Sequence, residues 1–312
     1  MKPDIVLTIP IYATAMEQLD RLFTVHCLWQ AKHRSAFFGE IRDRVHAIAT
    51  GGGFRIDGAL MDELPKTEII ATMSIGVDHI DLAAARQRGI AVTNTPDVLT
   101  DDVADIGMAL VLAVARRVVV GDRYVREGKW LKANLPLATK VGGASMGVLG
   151  LGRIGLAVAK RAEAFGMRIV YHGPRAKPGV AYRYYPDLVE MARDVDYLMV
   201  TCPGGAATRN LVNAEVLAAL GSKGVVINIA RGSVIEEAAM VRMLEEGRLG
   251  GAGLDVFSDE PRVPEALLGL ETVVLQPHVG SATHATRAAM GQLVVDNLSA
   301  HFAGGTLLTP VM

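Results

Sequence analysis

The chain is poor in cysteine. Only Cys27 and Cys202 occur in 312 residues, far apart, in neither a metal-ligand spacing nor a redox pair. No metal site is expected, and a reducing, cytoplasmic setting is the expectation. An excess of charge of one sign is also lacking: 32 Lys and Arg against 33 Asp and Glu leave a formal net charge of −1. That balance gives no electrostatic case for nucleic acid or an anionic membrane as partner. Long apolar runs are missing too. The most apolar stretch, Ile106 to Val120, is interrupted by Arg116 and Arg117 and is too short to cross a bilayer. The opening MKPDIVLTIP carries an early acid and no apolar run behind its lysine, so it does not read as a signal peptide.

What is present is enough apolar material for two cores. Half of the residues are hydrophobic and 21% are charged, a soluble globular balance at a length that suggests two domains. From Met146 to His278, β-branched runs (MGVLG, RIVYH, YLMVTC, GVVINIA, GAGLDV, TVVLQPH) alternate with helical patterns. Strands this apolar are buried on both faces, and helical crossovers between them make a parallel, doubly wound α/β sheet. In the first of those helices Ile154, Val158, Ala162 and Phe165 fall at helical spacing and are expected on the sheet, with Gly166 as the stop. The first third repeats the alternation as a second α/β unit. A long helix over VLTDDVADIGMALVLAVARR follows, with Asp101 and Asp102 near its positive end. Another helix is expected over Thr283 to Phe302, returning the chain to its first domain. The stretch around 121–143 shows no periodicity and reads as an arm or linker.

GLGRIG, Gly150 to Gly155, matches the dinucleotide-binding pattern at a strand end, opening an amphipathic helix. Gly150 allows the tight turn, Gly152 lets a pyrophosphate approach the backbone, and Gly155 lets the helix pack closely. The second strand is followed by YHGPRAKPG, where an acid for the ribose hydroxyls is missing. Without an acid there is nothing to repel a 2′-phosphate, and Arg175 and Lys177 supply donors for it, with His172 nearby. NADP(H) is therefore the expected cofactor, with NAD(H) second.

Three polar residues sit just past strand ends: Arg231 in INIARGS, Glu260 in LDVFSDEP, and His278 in VVLQPHVGSAT. In open α/β sheets, ligands bind at the carboxyl ends of strands. Arg231 suits a substrate carboxylate and an adjacent carbonyl, and His278 suits proton donation to that carbonyl oxygen. Glu260 beside His278 favours the imidazolium. Singly, each has a plain structural explanation; together, beside a cofactor turn, they point to reduction of a 2-oxo acid.

GVLGLGRIGLAVAKRAEAFG, INIARGSVIEE, GGAGLDVFSDEP and QPHVGSATHATR resemble the D-2-hydroxyacid dehydrogenase family, most of all its glyoxylate/hydroxypyruvate reductases, which include plant hydroxyphenylpyruvate reductase. SIGVDHIDL, GIAVTNTPDVLTDDVADIG, GDRYVREGKW and LLTPVM extend the likeness over most of the chain. The resemblance implies a Rossmann cofactor domain (100–282) inserted in a flavodoxin-like substrate domain (1–99 and 283–312), with domain closure during turnover. It makes 121–143 a dimerisation arm and the protein a homodimer. It implies catalytic roles for Arg231, Glu260 and His278, with the backbone of Ser74, Ile75, Gly76 and Val77 helping to seat the substrate carboxylate. It places Asp255 beside the nicotinamide and Thr100 to Val103 along the cofactor. Further cofactor contacts are expected at Arg153, Ile154, Thr201, Cys202, Pro203, Thr208, Ile229, Ala230, Gly280 and Ser281, besides Arg231 and His278.

Two departures matter. GPRA shifts the arginine by one residue from the Ser-Arg-Ser-like pattern of NADPH-dependent members, and TGGGF (50–54) leaves few side chains where relatives build a pocket wall. The expected activity is NADPH-dependent reduction of small 2-oxo acids, glyoxylate and hydroxypyruvate, to D-2-hydroxy acids. The alternatives are an arylpyruvate reductase, given the open loop, and a phosphoglycerate dehydrogenase, whose long regulatory extension is not seen here. A formate dehydrogenase fits less well, because Glu260 stands where those enzymes carry Gln. Outside enzymes, a nucleotide-sensing corepressor of the same fold is the rival, although no tail or low-complexity segment offers it a partner motif.

Overall fold

The computed structural model describes residues 2–311. The chain divides into two compact units, Met1–Leu99 with Ser281–Met312, and Thr100–Gly280.

In the first unit, five strands form one parallel sheet: β1 (Asp4–Leu7), β2 (Thr24–Cys27), β3 (Val45–Gly51), β4 (Ile69–Met73) and β5 (Ala91–Thr93), in the order β2-β1-β3-β4-β5. This is the flavodoxin-like order. Helices α1 (Ala13–Leu22), α2 (Arg34–Ile41), α3 (Gly58–Glu63) and α4 (Leu82–Gln87) make the crossovers. Every residue of β4, IIATM, is buried, because a parallel sheet is covered on both faces. Asp57 and Asp81 cap α3 and α4, accepting the amides of Leu60 at 3.1 Å and Ala84 at 2.9 Å. The C-terminal helix, His284–Phe302, belongs to this unit and is capped by Thr283. Its buried Asn297 accepts the amides of Leu308 and Thr309, and the Thr309 hydroxyl donates to the Asn94 carbonyl, so the tail is tied back beside β5.

In the second unit, α5 (Thr100–Ala115) and α6 (Val118–Arg126) precede seven parallel strands. These are β6 (Ser145–Leu149), β7 (Arg168–His172), β8 (Arg183–Tyr185), β9 (Tyr197–Val200), β10 (Val225–Asn228), β11 (Gly251–Leu254) and β12 (Val273–Leu275). Between them run α7 (Arg153–Ala164), α8 (Leu188–Arg193), α9 (Ala214–Leu220), α10 (Glu237–Glu245) and α11 (Glu265–Leu268). The order is β12-β11-β10-β9-β6-β7-β8. Sequence direction reverses between β6 and β9, the place where open α/β sheets bind ligands. Arg161 of α7 donates to Asp101 at 3.0 Å and Asp105 at 2.6 Å, one turn apart on α5, so the two helices are locked side by side.

Three details differ from the sequence reading. The β8 strand, RYY, is too short for an alternation to show, and it makes β10, β11 and β12 the fifth, sixth and seventh strands of this unit rather than the fourth, fifth and sixth. Part of the arm is helical: α6 runs to Arg126, held by an Asp122–Arg126 pair at 2.8 Å, although four valines and Gly121 argue against a helix. Phe165 does not pack on the sheet. It is the residue after α7, 44% exposed, and only Val158 and Ala162 of the expected stripe are fully buried, with Ile154 partly so.

Candidate active site

The turn after β6 is shaped by close backbone contacts. Gly150 has φ +95°, and a Cβ there would lie 2.6 Å from Cys202 Cα. The Thr201 hydroxyl donates to the Gly150 carbonyl at 2.7 Å, and a Cβ on Gly155 would strike that same oxygen. No side chain other than Gly fits either position. Gly152, by contrast, faces open space and caps the twelve-residue α7 with no side chain of its own. Arg153 is exposed and Ile154 half-buried in the first turn. An uncapped helix start with its positive dipole end open fits a pyrophosphate, so these residues can hold a dinucleotide. Cys202 packs in the core against Gly150, and burial pushes its thiol up to about 11, so its side chain is structural. In the loop after β9 the Thr208 hydroxyl turns back to the Pro203 carbonyl at 2.7 Å.

At the end of β7, His172 Nδ1 donates to the Tyr185 carbonyl at 2.9 Å, which joins β7 to β8. Arg175 and Lys177 are exposed in the loop that follows. No acid pairs with either among the described residues, and the loop itself contains none.

Arg231, Glu260 and His278 follow three neighbouring strands, β10, β11 and β12, at their carboxyl ends. His278 Nδ1 and Glu260 Oε2 are 2.7 Å apart. A carboxylate partner makes Nδ1 the donor and leaves Nε2 without a partner among the described residues. Glu260 Oε1 accepts the Phe257 amide at 3.0 Å. Burial pushes the Glu260 carboxyl up, but the His278 hydrogen bond, the Phe257 amide and the charges of His278 and Arg231 outweigh it and hold the group below its ordinary value. His278 has φ +55°, uncommon for a residue with a side chain. Asp255, 2% exposed at the end of β11, supports that conformation. Its carbonyl accepts the His278 amide at 2.8 Å, and its two carboxylate oxygens accept the amides of Val279 (2.8 Å) and Gly280 (2.9 Å). Burial raises the Asp255 carboxyl above its ordinary value, against the pull of those two amides. Val103 of α5 lies beside Gly280.

The Arg231 turn is fixed by Asn228, 1% exposed, which accepts the Ala230 amide at 3.0 Å and donates to the Arg231 carbonyl at 2.9 Å. Ile229 and Ala230 are buried, and the Ala230 carbonyl accepts the Arg231 guanidinium at 2.8 Å. Gly232 abuts the Phe257 backbone, with no room for a Cβ, which couples the Arg231 turn to the segment carrying Glu260.

In the first unit, the loop Ser74–Val77 follows β4. All four of its carbonyls are taken, by the Thr95 amide, the Asn94 side chain at 2.8 Å, the Ser74 hydroxyl at 2.7 Å and the Ile80 amide. The amides of Ile75, Gly76 and Val77 have no acceptor among the described residues. Consecutive open amides make an anion seat. The Ser74 proton is committed to Gly76, so Thr72 must donate to Ser74 (3.0 Å) and His79 Nε2 to Thr72 (3.1 Å), a one-way chain that holds the Gly76 carbonyl turned away from the seat. Gly52 borders Ser74, and Gly53 is open. Ser281 lies in this unit, partly buried.

The model of the D-isomer specific 2-hydroxyacid dehydrogenase NAD binding domain matches residues 108–280, more than half of the chain. The chain belongs to the D-isomer specific 2-hydroxyacid dehydrogenases. Within that family it is 48% identical over 308 residues to glyoxylate/hydroxypyruvate reductase A of Arabidopsis thaliana, covering 99% of this chain and 98% of that protein. Identity to hydroxyphenylpyruvate reductase of Plectranthus scutellarioides is also 48% over 308 residues, with the same coverage. The solved structure of NADPH-dependent glyoxylate/hydroxypyruvate reductase from Sinorhizobium meliloti, in complex with NADP and malonate, superposes with a TM-score of 0.94 at 45% identity. It covers 100% of this chain and 97% of that one.

Several groups that shape this dehydrogenase's site escape the sequence reading: Asn228, Asn94, Thr72 and His79. Asn228 and Asn94 leave a trace, as asparagines one step beyond or at the end of apolar strands, where a polar amide has no reason to be buried unless it bonds a turn. Thr72 and His79 leave none.

Proposed function

We propose that this dehydrogenase reduces small 2-oxo acids, glyoxylate and hydroxypyruvate, to D-2-hydroxy acids with NADPH. The observation that supports it most is the 2.7 Å His278–Glu260 bond, with the Arg231 charge acting on the same carboxylate. When bound, the cofactor supplies the hydride. The second unit is assigned the cofactor: the pyrophosphate to Gly152–Gly155, the 2′-phosphate to Arg175 and Lys177, and the nicotinamide end to Val103, Asp255 and Gly280. Arg231 pairs with the oxo acid and polarises its carbonyl. From the doubly protonated ring His278 gives its Nε2 proton to the carbonyl oxygen, and Glu260, accepting from Nδ1, orients the ring for that transfer. Asp255 keeps His278 in its unusual backbone conformation. The open amides of Ile75–Val77 in the first unit are assigned to the substrate carboxylate, which makes that unit the substrate domain.

A homodimer fits the arm, whose Leu131 and Leu137 are 93% and 99% exposed and stand with the exposed Val125 and Trp130. No helix of the described residues is long and apolar enough to cross a membrane, and two free cysteines fit a cytoplasmic setting. Gly52 favours a second reading, an arylpyruvate reductase, because it borders Ser74 with no side chain of its own.

Initial rates of NADPH and NADH oxidation with glyoxylate, hydroxypyruvate and 4-hydroxyphenylpyruvate test the assignment. Fast turnover of the two small acids with NADPH is expected. A preference for the aryl acid would install the second reading, and tight cofactor binding with no turnover would favour a sensor. Ser74→Ala removes the last bond of the hydroxyl chain and frees the Gly76 carbonyl to turn. The KM for the oxo acid is then expected to rise about fivefold, the scale of one net hydrogen bond, with kcat and cofactor affinity retained. An unchanged KM would detach the chain from substrate binding.

A further inference from the structure

We infer that Tyr171 and Tyr184 are positioning residues for cofactor selection, a role that rests on the NADPH reading above. The two face each other in register on β7 and β8, with ring centroids 5.3 Å apart. Tyr171 is 2% exposed, so packing fixes its ring. Its hydroxyl accepts the Lys177 amide at 2.8 Å, and the Tyr184 hydroxyl donates to the Gly173 carbonyl at 3.0 Å. The loop is thus gripped at Gly173 and at Lys177, and Pro174 fixes one further backbone angle between them.

Arg175 stands inside that grip and Lys177 at its end. Neither side chain has a protein partner among the described residues, so their placement depends on the backbone that carries them. Cations on a loose loop would have to be ordered by the phosphate as it binds, at an entropic cost. Two tyrosine hydroxyls remove the backbone share of that cost beforehand. This also gives the three-residue strand β8 a purpose: it brings Tyr184 to the loop and offers the Tyr185 carbonyl to His172. The ligand chemistry served is the 2′-phosphate of an adenosine, and the unphosphorylated ribose gains nothing from it.

The test is the dissociation constant of NADPH and of NADH, read from nicotinamide fluorescence on the full chain, with folding checked by thermal melting. Tyr171→Phe and Tyr184→Phe keep the rings and remove one bond each. Each is expected to weaken NADPH about fivefold, the scale of one net hydrogen bond, and to leave NADH unchanged. In an Arg175→Ala, Lys177→Ala background, Tyr171→Phe should add nothing to the NADPH-to-NADH ratio, since both groups it positions are gone. Tyr184, half-buried, carries the test alone if Tyr171→Phe unfolds. Unchanged binding, or equal weakening of both cofactors, overturns the role and leaves the tyrosines to the sheet. If the wild type prefers NADPH and Arg175→Ala abolishes that preference while the tyrosine variants keep it, the positioning role alone fails. If the wild type binds both cofactors alike and Arg175→Ala changes nothing, the NADPH reading fails and the tyrosine role falls with it.

Discussion

Replacing His278 by Asn is expected to lower kcat for oxo-acid reduction about a thousandfold, within the range of a lost general acid, while NADPH affinity stays near wild type. Asn suits the position because it tolerates the left-handed region better than most residues, and His278 has φ +55°. The Asp255 carbonyl bonds the backbone amide of residue 278, so the loop keeps its anchor when the ring is gone. What disappears is a proton donor on Nε2 and the partner of Glu260. Single-turnover rates separate this from slow product release. A variant with wild-type single-turnover rates would remove His278 from the chemistry. The same pair sets the acid side of the pH profile. Glu260 lies below its ordinary value of 4.5, so the carboxylate persists as the pH falls. Its contribution to stability is present above the unfolded value and is lost only as the pH drops through the lower folded one. In the wild type, therefore, an acid limb due to Glu260 is expected below pH 4.5.

The strand-end residues are legible in the sequence because a parallel sheet has only one end for ligands; Arg231 and His278 each follow a β-branched run, and Glu260 follows the short apolar run GAGL. The glycine turn is legible for the same reason: its spacing is dictated by contacts that a Cβ would break. What sequence does not carry is the set of bonds that aim those residues. Asp255 reaches Gly280 across 25 residues, and nothing in either local pattern announces the pairing. Tyr171 reads as one more apolar residue of a buried strand until β8 appears beside it, and β8 is too short for any period to betray. The helix α6 buries none of its residues on its own unit, and its valines and Gly121 disfavour a helix, so propensity hides it. Phe165 shows the converse error. Its spacing continues the stripe of α7, but the helix has already ended, so the side chain leaves the face that the period assigns to it.

Arg231→Ala is expected to cost 10² to 10³ in kcat/KM for the oxo acid, roughly the loss of an oriented, charged donor at a developing oxyanion. Asn228 still bonds the Ala230 amide and the carbonyl of residue 231 in the variant, while the bond from the Arg231 guanidinium to the Ala230 carbonyl, 2.8 Å, is lost with the side chain. Gly232 stays against Phe257. The variant therefore removes the side chain while both Asn228 bonds to its turn remain. Arg231→Lys restores the charge without the planar fork and should recover only part of the loss. A second readout follows from electrostatics. The Arg231 charge is one of the influences that lower the Glu260 carboxyl, so without it the folded value of Glu260 rises. The acid limb of the rate profile should then move to higher pH in Arg231→Ala and return toward its original place in Arg231→Lys. If kcat/KM fell while the limb stayed put, Arg231 would be a substrate contact with no electrostatic hold on the His278–Glu260 pair. If neither changed, the carboxylate and carbonyl would have to find another partner, and the reaction assigned to this site would lose its electrophilic half.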